Sequence, residues 1–145
     1  MGAWGYYDDQ NDSVHDQWYR LFDQLKNINI KKVDVITKKT YKLIEENLVG
    51  DDCIGIFLLM LEYLNCDDLS NDFSNHKPKK EIDPMQRYHI SHPELVNKKL
   101  LKKILSHVNG QLEYKRYKDG WKNPQARKKA LCNEKKLFLE MLNTN

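Results

Sequence analysis

The run Tyr114-Lys115-Arg116-Tyr117-Lys118-Asp119-Gly120-Trp121-Lys122 interleaves cations with aromatic rings. Lysine and arginine reach phosphates, and rings stack on unpaired bases. Lys115, Arg116, Tyr117, Lys118, Trp121 and Lys122 are therefore the candidate nucleic-acid-binding residues. The plainer reading of this run is a short amphipathic helix whose Tyr114 and Trp121 cover the core.

Other chemistry is thinner. His89-x-x-His92 is one short-spaced pair of metal-capable side chains, with His76, His107, Cys53, Cys66 and Cys132 scattered elsewhere. Structural zinc needs four nitrogen or sulfur ligands, usually in paired short spacings, so no metal ligands are assigned. No Gly-x-Ser-x-Gly elbow occurs. The six glycines form no phosphate-cradling pattern. Asp8-Asp9, Glu45-Glu46, Asp51-Asp52 and Asp67-Asp68 are adjacent acids, but catalytic pairs must converge in a perturbed environment. Caps and solvated faces account for them. No catalytic residue, cofactor-binding residue or cofactor is assigned, and an enzyme is not expected.

Charge is divided along the chain. Residues 1–76 hold 7 Lys+Arg and 14 Asp+Glu, whereas residues 77–145 hold 17 and 7. A basic second half suits an anionic partner, or the acidic first half itself. Three widely spaced cysteines make no disulfide framework and suit a reducing compartment. The opening residues are acidic and lack an apolar run, so no secretory signal is read. The longest apolar run, Ile54 to Leu61, is too short to span a bilayer. The expectation is an intracellular protein with no membrane partner.

Helices must position these side chains. Val14, Trp18, Leu21, Phe22 and Leu25 fall at helical spacing, predicting a helix from about Ser13 to Lys26. Ser13 and Asp16 resemble a capping box, with Asn11 or Asp12 as alternative caps. A second helix runs from Val33 to about Val49, stopped by Gly50. Asp52 to Leu64 is apolar on nearly every side and so should be the buried central helix. Residues 66–92 show no period and read as a long irregular loop. Pro93 would open a helix ending at Asn109-Gly110, with Lys98, Lys99, Lys102 and Lys103 opposite its apolar stripe. A short helix over Gln111 to Lys118 follows, and Asn123-Pro124 starts the last. Its stripe is Ala126, Ala130, Leu131, Leu137, Phe138 and Met141. The fold expected is all-α: a single domain over residues 1–145, of five or six helices.

The opening segment carries Trp4 between Gly2 and Gly5, with Tyr6 and Tyr7 beside it. Trp4 and Trp18 are the expected structural anchors, Trp4 plugging the core and pinning the N-terminus. Met1-Gly2-Ala3-Trp4-Gly5, Asn11-Asp12, Asp16 and Trp18 resemble a family of small proteins of unknown function that open Met-Gly-x-Trp-Gly. The resemblance covers about the first 20 residues; it implies a helical fold and brings no established activity or catalytic residues to carry over. Tyr7-Asp8-Asp9 departs from its pattern. The 20 lysines and 13 asparagines resemble the bias of AT-rich genomes, large DNA viruses that infect amoebae among them. Such a source would also suit a virion-associated protein. The functional expectation is a non-catalytic protein-interaction or structural module with a protein partner. The alternative is a nucleic-acid-binding protein using the basic second half.

Overall fold

A computed structural model describes residues 7–8, 12–25, 32–46, 51–64 and 96–143. Among the described residues five helices form an all-α fold: α1 Asp12–Leu25, α2 Lys32–Glu46, α3 Asp52–Leu64, α4 Lys98–Glu113 and α5 Pro124–Leu142. A single 3-10 turn, Arg116–Lys118, lies between α4 and α5. There is no strand among the described residues.

α3 is the hub because it has no polar face to turn outward. Every residue from Cys53 to Leu61 is buried, with exposures of 1 % or less for the apolar side chains. α1, α2 and α4 pack against it. Phe57 faces α5, meeting Phe138 edge-on at 5.7 Å, and it lies 6.4 Å from the ring of Tyr41 on α2. Full burial of one such side chain is worth about 1.5–3 kcal/mol, so this one helix anchors its neighbours.

α4 and α5 pack as a pair joined by the Tyr114–Asn123 connection. α4 buries Leu100, Leu101, Ile104, Leu105 and Val108, while Lys98, Lys99, Lys102 and Lys103 are exposed, in the expected register. α5 begins where Asn123-Pro124 indicated. The Asn123 side chain accepts from the Ala126 amide at 3.1 Å, and proline occupies the first turn, where its missing N–H costs nothing.

Three expectations need correction. α4 begins at Lys98, not Pro93, because the Asn97 side chain caps it by accepting from the Lys99 and Leu100 amides. Asn109-Gly110 does not stop α4, which continues to Glu113. A helical glycine costs about 1 kcal/mol, and burial of Val108 and Gln111 on either side outweighs it. Ser13 is not the α1 cap: it lies inside the helix, and its hydroxyl donates to Asp52 Oδ2 of α3 at 2.9 Å. Gln17 Nε2 donates to the same oxygen at 2.8 Å. Trp4, the 66–92 loop and His76, His89 and His92 lie outside the described residues. Trp18 is fully buried.

Candidate nucleic-acid interface

The α4–α5 connection turns on two left-handed residues, Lys115 at φ 55 and Gly120 at φ 77. Glycine adopts this conformation without steric cost, whereas at lysine it costs about 1–2 kcal/mol. Between them the 3-10 turn rolls the chain once. Tyr117 therefore points into the core at 5 % exposure, and Tyr114 stands out at 69 %. Residues Gln111 to Lys118 thus do not form a separate helix, and Tyr117 takes the core-covering place expected of Tyr114.

Each ring has a cation over it. Arg116 Cζ lies 5.7 Å from the Tyr114 centroid, Lys128 Nζ 5.4 Å from Tyr117 and Arg127 Cζ 4.7 Å from Trp121. Of the six candidate residues, Lys115, Arg116, Lys118 and Lys122 are exposed. Tyr117 is a core residue, and half-buried Trp121 is stacked on Arg127. The ring open to a base is Tyr114, which the charge-and-ring pattern did not single out.

Asp51, just before α3, fixes the turn. Its Oδ1 lies 3.2 Å from His107 Nδ1 on α4 and its Oδ2 lies 3.6 Å from Arg116 Nη1. Arg116 is still 55 % exposed, so this ion pair is worth little by itself but sets where the guanidinium sits. Along α4, the connection and α5 the exposed side chains are mostly basic. Lys98, Lys99, Lys102 and Lys103 of α4, the four cations of the connection, and Lys128, Lys129 and Lys136 of α5 are all exposed. The exposed acids over residues 96–143 are Glu113, Asp119 and Glu140.

Behind the turn lies an ionic cluster that sequence reasoning missed. Arg127 Nη1 and Nη2 donate to the two carboxylate oxygens of Asp8 at 3.2 and 3.0 Å, and Nη2 also donates to Gln111 Oε1 at 2.8 Å. The Asp8 backbone N–H donates to Glu134 Oε1 at 2.9 Å. Beside it, Asn133 Nδ2 donates to the Tyr7 hydroxyl at 2.9 Å. Arg127 and Glu134 are 2 % and 1 % exposed. Burial, then the adjacent Asp8 carboxylate, holds the Glu134 carboxyl well above its ordinary range. A signal existed: Arg127 and Glu134 sit seven apart on the α5 stripe, where apolar residues belong. Nothing local marked Asp8 as their partner.

Among the described residues, no three or more His, Cys, Asp or Glu side chains are grouped to hold a metal ion, and no helix is long and apolar enough to cross a membrane. No family model, curated protein or solved structure matches the chain.

Proposed function

We propose that the protein is a non-catalytic binding module whose basic α4–α5 side takes nucleic acid. The supporting observation is a cation-rich turn with an exposed ring: Lys115, Arg116, Lys118 and Lys122 are exposed in the connection that Tyr114 opens, Arg116 lies over the Tyr114 ring, and Lys128 lies over that of Tyr117. Phosphates would meet the ammonium groups, and a base would stack on Tyr114 beside the Arg116 guanidinium. Such binding is electrostatic first, because each neutralised phosphate releases condensed counterions. An intracellular setting fits Cys53 and Cys132, neither of which is in a disulfide.

The test is titration of labelled single-stranded DNA, single-stranded RNA and duplex DNA across a salt series. The logarithm of the association constant should fall linearly with the logarithm of salt concentration. Replacing Lys115, Lys118 and Lys122 together by Glu should weaken binding to every sequence and flatten that slope. Tyr114→Ala should cost about 1–3 kcal/mol on single strands, the range for base–aromatic stacking, and little on duplex. Undetectable binding to all three at low salt would remove this reading.

The second reading is a module acting through a protein partner. It draws on Leu139, which is 41 % exposed on α5, with Tyr114 the other exposed large apolar side chain among the described residues. Co-purification of one acidic protein at fixed stoichiometry, without nucleic acid, would favour it.

A further inference from the structure

We propose that the segment holding Tyr7 and Asp8 is a latch on α3 and α5 whose closure requires one proton, carried by Glu134. The segment crosses α3 at Gly55, so closely that a side chain there would overlap the Asp8 carbonyl. It is then held by two acids and one base. Asp8 pairs with Arg127 in a fork, and its amide bonds to Glu134. If Glu134 were ionised, two carboxylates would share one guanidinium inside the protein. The protonated form resolves this, because Glu134 can then donate to the Asp8 carboxylate while its other oxygen accepts the Asp8 amide.

The groups around the latch come from three helices. Gln111 of α4 is neutral and accepts from Arg127. Arg127 of α5 supplies the guanidinium that Asp8 grips. Cys53 of α3 is pushed up to about 12 by burial, then by Asp51 and Asp8, and so remains a thiol. Asn133 of α5 donates its side-chain amide to the Tyr7 hydroxyl. With the latch open, Glu134 returns toward its ordinary value of 4.5. Its folded value is raised, so closure is fully favoured below 4.5 and is lost as pH rises toward the raised value. An alkaline shift would lift Asp8 off Gly55.

The experiment is amide hydrogen exchange of the full chain from pH 5 to pH 9, corrected for the intrinsic pH dependence of exchange, with Glu134→Gln as the comparison. Gln copies the protonated acid, since its oxygen accepts the Asp8 amide and its NH2 donates to the Asp8 carboxylate. In the wild type, protection of the fragment spanning Tyr7 and Asp8 should fall by up to tenfold per pH unit, while α4 and α5 stay protected. In Glu134→Gln that protection should not vary with pH. Equal behaviour of the two proteins would overturn the proposal, whether both change or neither does. So would loss of helix protection in step with the segment, which would mean global unfolding. Failure of Glu134→Gln to fold would also overturn it, because the neutral isostere keeps every bond the latch needs.

Discussion

The guanidinium of Arg127 grips the carboxylate of Asp8 across 119 positions of sequence, with 2 % and 10 % of their side chains exposed. This fork ties the chain's opening segment to its last helix and does so beneath the basic turn, since Arg127 also stacks on Trp121. The same side chain therefore supports both the segment over α3 and the connection that presents Tyr114.

Removing one partner of this pair should cost more than replacing both. Arg127→Ala leaves the Asp8 carboxylate buried beside Glu134 with no cation, and such broken buried pairs typically cost about 3–5 kcal/mol. Asp8→Leu combined with Arg127→Met should recover much of that loss, because apolar replacement of a whole buried pair is often neutral or better. Urea unfolding midpoints of the two proteins decide it. A double variant no more stable than Arg127→Ala would mean that Arg127 acts chiefly through Gln111 and Trp121.

The two described thiols should differ sharply. Cys53 is fully buried in α3, while Cys132 is exposed on α5. Only the thiolate is the nucleophile, and the Cys53 thiol, pushed up to about 12, offers almost none at pH 8. A disulfide reagent at pH 8 should modify Cys132 at once and Cys53 only on unfolding, as peptide mass spectrometry would show. The raised value also fixes a sign. The stability linked to the Cys53 proton is full below the ordinary 9.0 and is lost as pH rises toward 12. Prompt labelling of Cys53 in the folded protein would contradict this burial.

What could be read beforehand follows the strength of the local signal. α3 was expected over Asp52 to Leu64 and is found there, because thirteen mostly apolar residues preceded by acids leave little choice. The α5 start was equally legible, since Asn-Pro supplies both a cap and a fixed φ. The α4 boundaries were misjudged because Pro93 and Gly110 are only local permissions, while the Asn97 cap and the burial of Gln111 depend on the fold. The ionic cluster was missed for a different reason. Amphipathic reading sends charges to solvent, and Arg127 and Glu134 break that rule only because Asp8 arrives from far along the chain.

Two helix-interior glycines should respond in opposite directions to one substitution. In both α3 and α4 alanine is the better helix former by about 1 kcal/mol. At Gly110 an added Cβ meets nothing within 4 Å, so Gly110→Ala should raise stability by about 0.5–1 kcal/mol. At Gly55 the same Cβ would overlap the Asp8 carbonyl and come within 2.7 and 2.9 Å of the two Val14 methyls. Such overpacking typically costs about 1–3 kcal/mol, and the nearest obstacle is backbone that cannot rotate away. Gly55→Ala should therefore lower the unfolding midpoint despite its better propensity, and should weaken exchange protection at Tyr7 and Asp8 first. A Gly55→Ala protein as stable as Gly110→Ala would show that the opening segment does not lie across α3, and the latch on Glu134 would fall with it.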